Sequence, residues 1–169
     1  FMFQTIKPEE LQKNPFTMIG KEWLLITAEK DGKANTMTAS WGGAGVLWGK
    51  NVVTLYIRPQ RYTKEFVDAS DTLSVSVLDE SFRKTLNYLG TVSGRDENKI
   101  EKAGLTVAHE GDTPYFAEAN TVLICKKLYA QDLKPECFLD AASDEKWYPK
   151  KDYHTMYICE IEKVLTKQN

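Results

Sequence analysis

The chain has 169 residues, 42% hydrophobic and 27% charged, which is enough apolar material for one globular domain, and we expect that domain to span residues 1–169. Its 22 lysine and arginine residues against 24 acidic residues give a formal net charge of −2. Because nucleic-acid proteins and polybasic membrane binders need a cationic surface, this balance argues against both classes.

Signals for membrane insertion, export and metal binding are weak. No apolar run is long enough to span a membrane, and residues 1–4 lack the regions of a signal peptide, so we expect a cytoplasmic protein. The phenylalanine ahead of Met2 suggests the end of an expression tag, with Met2 as the natural start. Two histidines without ligand spacing argue against a metal site. The absence of CxxC spacing favours reduced thiols at Cys125, Cys137 and Cys159.

The first elements in chain order are a helix and a hairpin. Pro8 favours a short helix over 7–13, which Asn14-Pro15 would end. Residues 23–29 have the composition of a strand, and Asp31-Gly32 is a hairpin turn signal, after which extended structure resumes at Ala34.

Residues 35–41 alternate hydroxyl-bearing and apolar side chains. In a strand of period two, Thr36, Thr38 and Ser40 share one face, and the opposite face holds Met37, Ala39 and Trp41. This pattern predicts a row of hydroxyl and backbone donors that could lie beside a polar ligand.

Residues 51–57 predict a buried strand that leads into the segment RPQRYT, residues 58–63. Pro59 stops the strand, and Thr63 has the position of an N-cap for a helix running to about Ala69, with Tyr62 and Val67 at the spacing of a hydrophobic staple. Two arginines before a helix N-terminus suit an anion, phosphate first. The alternative is an ordinary turn whose arginines, Arg58 and Arg61, face water.

The glycine-rich stretch 42–51 matches neither common nucleotide motif. It fails as a Walker P-loop because Ala44 replaces the first glycine and Asn51 replaces the Ser or Thr that would hold magnesium. It fails as a dinucleotide fingerprint because Trp48 occupies the third glycine position. A flexible turn is the better interpretation.

Residues 72–78 predict a strand with one core face, and residues 81–89 predict a helix that packs against the strands. In the following segment SGRDENK, residues 93–99, Asp96 is the expected N-cap and Lys99 the third helical residue. A cation there opposes the helix dipole, which favours a nearby anion, or else Lys99 is simply solvated.

The remaining pattern is mostly β. Short extended pieces flank a turn at 111–114, strands follow at 120–131 and 154–165, and an aromatic loop over 135–149 lies between them. The whole pattern predicts a mostly β domain with three or four short helices.

Three of these motifs in their order, NTMTASW, RPQRYT and SGRDENK, resemble the flavin reductase-like family of FMN-binding split β-barrels, which includes flavoredoxins. The resemblance covers residues 14–165, and the segment DYHTMYI, residues 152–158, resembles the family's His-led last strand. Cys159 departs from the family pattern, since many relatives carry glycine there. The implied fold is a Greek-key antiparallel split barrel.

The resemblance also implies roles for residues. His154 would lie near the flavin face where a donor or acceptor docks. The cofactor-binding set would follow the ribityl chain, the ring edge and the phosphate, with some contacts from a dimer mate: Asn35, Thr36, Met37, Thr38, Ala39, Ser40, Trp41, Arg58, Arg61, Tyr62, Thr63, Ser93 and Lys99.

The implied function is an FMN-dependent oxidoreductase, in a homodimer, that moves a hydride or electrons between NADH, NADPH or a redox partner and bound FMN. In such a protein the cofactor carries the chemistry. Three alternatives stay open: a flavin-binding electron carrier, a split barrel that binds haem or another phosphorylated cofactor, and an empty barrel kept for dimerisation.

Overall fold

A computed structural model describes residues 2–167, so the expectation about the residue before Met2 lies outside it. Its strands, labelled in chain order, are β1 Phe3–Ile6, β2 Leu24–Lys30, β3 Lys33–Ala39, β4 Gly42–Leu47, β5 Lys50–Ile57, β6 Thr72–Val77, β7 Val107–Glu110, β8 Thr113–Phe116, β9 Thr121–Asp132 and β10 Thr155–Lys167. Its helices are α1 Pro15–Thr17, α2 Thr63–Ala69, α3 Arg83–Thr91, α4 Lys99–Lys102 and α5 Ala141–Trp147.

Eight of the described strands form one antiparallel sheet in the order β3-β2-β6-β9-β10-β5-β4, with β1 added beside β10. The long strand β10 pairs with β9 on one side and with β5 on the other. The edge strands β3 and β4 do not pair with each other, so the sheet is an open barrel. The predicted split barrel, mostly β with short helices, is confirmed.

Successive side chains of β2 point to opposite faces of the sheet, so they contribute to two separate layers of the core. Leu24 and Ile26 lie in the cluster inside the barrel, and Leu25 lies in a second cluster under α3 and the β7–β8 hairpin. Strand β6 is buried on both faces, so the prediction of a single core face is wrong there. Ser74 is covered by the hairpin and donates to the Pro114 carbonyl at 2.6 Å.

The first predicted helix is also wrong. Residues 8–10 form only one 3₁₀ turn, and Asn14 begins a helix where it was expected to end one, since its side chain accepts from the Phe16 amide at 2.9 Å. That helix, α1, continues into a π-helical turn, Met18–Glu22. The predicted Asp-Gly turn is confirmed: Asp31 and Gly32 have φ of 52° and 75°.

Other features bear on the sequence expectations. Among the described residues, no helix has the length and apolarity needed to cross a bilayer. Cys159 is fully buried in the barrel core, and this burial raises the pKa of its thiol to about 12.

Candidate functional site

Strand β3 buries more of the predicted hydroxyl row than the sequence suggested. The Thr36 hydroxyl lies 2.9 Å from that of Thr27 and donates to the Ile26 carbonyl at 3.0 Å, and its side chain is fully buried. Because cross-strand pairing places Thr36 opposite Thr27, its hydroxyl is used inside the sheet. The Thr36 hydroxyl therefore does not face a ligand site, and a contact from Thr36 stays a prediction for its main chain.

The far end of β3 leads toward the surface. The Thr38 hydroxyl donates to the Leu86 carbonyl of α3 at 2.6 Å, while Met37 packs into the barrel core. Ala39 is half-buried, and Ser40 and Trp41 are exposed. Ser40 and Trp41, with Phe16, Tyr56 and the start of β4, line a largely apolar groove of about 510 Å³.

One buried hydrogen bond joins β3 to the start of α2. The Asn35 amide donates to the Thr63 hydroxyl at 2.8 Å, and both residues are buried. Thr63 is the first residue of α2, so the predicted N-cap is wrong by one position. Tyr62 precedes the helix and packs edge-on against Phe66, with ring centroids 5.0 Å apart. It also packs against the barrel cluster that includes Val67, its partner in the predicted staple. The Asn35–Thr63 bond therefore fixes the start of α2 against the sheet.

Arg58 is held by a distant segment. Its guanidinium forms an ion pair with Asp152 at 3.0 Å, donates to the Trp147 carbonyl at 3.0 Å, and lies 4.9 Å from the centre of the Tyr148 ring. The sequence predicted Arg58 either as a phosphate ligand or as a solvated charge, and neither hypothesis included these contacts with Trp147, Tyr148 and Asp152. Through them Arg58 anchors the chain between α5 and β10.

Arg61 is the arginine of the pair for which the described residues provide no partner. Its guanidinium is half-buried and makes no hydrogen bond or ion pair with any residue in 2–167. Burial lowers the pKa of Arg61, and its charge in turn lowers the pKa of Lys99 and of His154. A half-buried guanidinium without an acceptor, beside a second cation, is the arrangement an anion would complete.

Lys99 is that second cation, and it is buried. Its ammonium donates to the carbonyls of Leu89 and Val92 at 2.8 and 2.9 Å, at the end of α3. Burial, with a smaller effect from Arg61, lowers the pKa of Lys99 to about 8. The solvated alternative for Lys99 is therefore excluded, and the expected helix start shifts, because Asn98 rather than Asp96 caps α4.

The loop between α3 and α4 packs tightly against the Asn35–Thr63 pair. Ser93 lies near the start of this loop, and its hydroxyl accepts from the Arg95 amide at 3.1 Å. At Gly94 a Cβ atom would overlap the Asn35 amide oxygen and lie 3.0 Å from its Cγ. Gly94, Asn35, Tyr62 and Lys99 line a cavity of about 530 Å³ with mixed polar and apolar walls.

His154 lies just before β10 inside an aromatic cluster. Its Nδ1 is 2.6 Å from the Tyr148 hydroxyl, and its ring centroid is 5.4 Å from that of Trp41 and 6.3 Å from that of Tyr56. Burial first, and then the charge of Arg58, lower the pKa of His154 to about 4. His154 is therefore neutral near pH 7 and can donate or accept a hydrogen bond, but it is a poor proton donor.

The sequence reasoning missed Tyr148, Trp147 and Asp152 as individual residues. Trp147 contacts Trp41 edge-on at 4.9 Å between centroids, and Asp152 also accepts from the Gln60 amide at 2.8 Å. The signal that could have found Trp147 and Tyr148 was the aromatic content of the loop 135–149, which ends only a few residues before His154.

Comparison with solved structures gives the same fold. The FMN-binding domain of a flavin reductases-like enzyme from Shewanella baltica matches with a TM-score of 0.71 and 18% identity, covering 98% of this chain and 77% of that one. A flavoredoxin from Methanosarcina acetivorans matches with a TM-score of 0.67 and 21% identity, covering 87% and 69%. An NADH:FAD oxidoreductase from Streptomyces globisporus matches with a TM-score of 0.65 and 16% identity, covering 86% and 75%.

No curated protein matches the chain. The sequence model of the flavin reductase like domain, in contrast, matches residues 18–169, which include β3, Arg61, Lys99 and His154. The chain belongs to the flavin reductase like domain family.

Proposed function

We propose that the chain is an FMN-dependent oxidoreductase that moves a hydride or electrons between NADH, NADPH or a redox partner and bound FMN. The observation that carries the proposal is the half-buried Arg61, to which residues 2–167 offer no acceptor, beside the buried Lys99, in a member of this family. Arg61 and Lys99 would hold the FMN phosphate. Ser93, in the α3–α4 loop that precedes Lys99, would contribute to the same site.

The other predicted contacts lie along β3 and the start of α2. Asn35 and Thr63 bond to each other, so their side chains would shape the site by fixing Tyr62 and the α2 terminus. The backbone of 38–41 and the side chains of Ser40 and Trp41, at the open end of the strand, would contact the ribityl chain and the ring edge. Arg58 would act through Tyr148 and Asp152 rather than on the phosphate.

A bound FMN would be the group that accepts the hydride or electrons, so no side chain of this protein has to act as a nucleophile. The chain contributes charge at Arg61 and Lys99, an aromatic wall at Trp41 and Trp147, and a neutral imidazole at His154. A neutral His154 can orient a ligand by hydrogen bonding without exchanging a proton at pH 7.

The second candidate is a flavin-binding electron carrier. It is favoured by the similarity in fold to a flavoredoxin and by the exposure of Trp41 and Trp147, each more than 40% exposed, which would let another protein approach the site. In that case no nicotinamide nucleotide would be a direct donor.

Anaerobic reduction of the FMN-loaded protein separates the two candidates. We expect NADH or NADPH to bleach the visible flavin band at a rate that saturates with nucleotide, against a control of free FMN without protein. Reduction by dithionite but by neither nucleotide would contradict an oxidoreductase that uses NADH or NADPH and would support the carrier.

We further propose a homodimer, as the family resemblance implies. The edge strand β4 pairs with β5 on one side and has no described strand on the other. This strand and the turn that follows it expose apolar side chains, with Val46 and Trp48 75% and 56% exposed. An unpaired edge with apolar side chains suits pairing with a second copy. Sedimentation velocity of the purified protein tests this, and a monomer at micromolar concentration would contradict it.

A further inference from the structure

We propose that Tyr148 is a positioning residue whose hydroxyl donates to Nδ1 of His154, so that the imidazole carries its proton on Nε2 and presents that N–H to the site. The hydrogen bond itself does not depend on the proposed function, whereas its consequence for turnover does.

The first step concerns what each group can offer. The Tyr148 oxygen and His154 Nδ1 are 2.6 Å apart, and both residues are buried. A neutral imidazole has one N–H and one acceptor nitrogen. If Nδ1 carried the proton, the phenol proton would need another acceptor, and within residues 2–167 the structure gives the Tyr148 hydroxyl none. Donation from Tyr148 to Nδ1 satisfies both groups.

The second step concerns how firmly Tyr148 is placed. The Arg58 guanidinium lies 4.9 Å from the centre of its ring and bonds to the carbonyl of the preceding residue, Trp147, at 3.0 Å. Tyr153 packs on the Tyr148 ring at 4.8 Å between centroids, and Phe138 packs edge-on at 5.9 Å. Arg58, Tyr153 and Phe138 therefore fix the position of the Tyr148 ring independently of its hydrogen bond to His154.

The third step concerns the charge state of His154. The charged groups that act on it are Arg58 and Arg61, which disfavour protonation, and Asp152, which favours it. Asp152 is already paired with Arg58 at 3.0 Å, so it does not supply a free carboxylate to the ring. A neutral ring with Nδ1 occupied has only its Nε2–H to offer.

The consequence for the site follows from the ring geometry. Nε2 points away from Tyr148, and no residue in 2–167 accepts from it, while Trp41 and Tyr56 flank the ring. An N–H in that position suits a carbonyl oxygen, which both a flavin ring and a carboxamide carry. Tyr148 would thus select the orientation of a bound ligand through His154.

Nitrogen NMR of protein labelled with ¹⁵N-histidine tests the assignment without flavin. The chain has only two histidines, and the other, His109, is exposed and contacts Glu29, so it serves as an internal reference. We expect wild-type His154 to show an unprotonated, hydrogen-bonded Nδ1 and a protonated Nε2. In Tyr148→Phe the Nδ1 resonance should move toward that of an unbonded nitrogen, and acid titration of His154 should occur at higher pH, because the bond that stabilises the neutral ring is lost.

Tyr153→Phe is the matched control. Its ring belongs to the same cluster, but its hydroxyl donates to Asp144 at 2.8 Å, so the His154 resonances should not move. A protonated Nδ1 in the wild type, or a Tyr148→Phe spectrum that keeps the wild-type Nδ1 resonance, would overturn the proposal. The wild-type spectrum decides alone if Tyr148→Phe fails to fold.

A kinetic arm applies once nucleotide-driven reduction is established. Tyr148→Phe should slow flavin reduction by about tenfold, the usual effect of one hydrogen bond. A slower reduction without the Nδ1 shift would contradict a positioning role.

Discussion

Replacing Arg61 with alanine is expected to weaken FMN binding by about ten- to a hundredfold. A hydrogen bond to a charged group contributes about 1.5 to 3 kcal/mol, and Arg61 is the half-buried cation that the described protein leaves without an acceptor. The measurement is the FMN dissociation constant, obtained by fluorescence quenching during titration. Loss of the repulsion from Arg61 should also raise the pKa of Lys99.

Arg95→Ala is the matched control for this variant. Arg95 is exposed, pairs with Glu65 and stacks on the Tyr62 ring at 4.6 Å, so its charge is close to the site but already partnered. We expect its removal to change the FMN dissociation constant by less than about threefold, as is usual for an exposed pair. An unchanged constant in Arg61→Ala, or an equal loss in both variants, would remove Arg61 from the phosphate site.

Replacing Gly94 with alanine is expected to destabilise the fold and disturb the site together. The added Cβ would overlap the Asn35 amide oxygen, lie 3.0 Å from Asn35 Cγ and lie 3.2 Å from the Tyr62 ring. Asn35 cannot yield without breaking its bond to Thr63, so the loop or the start of α2 must move. Overpacking of this kind costs about 1 to 3 kcal/mol. The melting temperature should fall by about 3 to 10 °C, and FMN binding should weaken as well.

Gly45→Ala controls for the substitution itself. Gly45 lies in the exposed edge strand β4, and no atom lies within 4 Å of the Cβ it would gain. Its melting temperature should stay within about 2 °C of the wild type. A Gly94→Ala protein as stable as this control would show that the α3–α4 loop is looser than its packing indicates.

Elements governed by local chemistry were predictable from the sequence. The Asp31-Gly32 turn follows from the ease with which these residue types adopt positive φ, and the bounds of α2 were predicted to within a residue. Predictions of element boundaries were wrong where the local sequence was compatible with two structures and tertiary packing decided between them. Asn14-Pro15 can end one helix or begin the next, and here Asn14 caps α1.

Which arginine faces the site could not be predicted, because the answer depends on distant partners. Arg58 and Arg61 are equivalent in the motif, but Arg58 is claimed by Trp147 and Asp152, 89 and 94 residues further along the chain. Thr36 is a similar case, since only the pairing of β3 with β2 brings Thr27 to its hydroxyl. Patterns of period two identify a face but not what covers it.

The visible absorbance spectrum of the purified protein, recorded after adding FMN and removing the excess by gel filtration, tests the central claim most directly. We predict that the wild-type protein keeps a flavin spectrum after gel filtration. The same treatment of Arg61→Ala should leave a weaker flavin absorbance or none. A colourless wild-type protein would contradict the FMN site at Arg61 and Lys99.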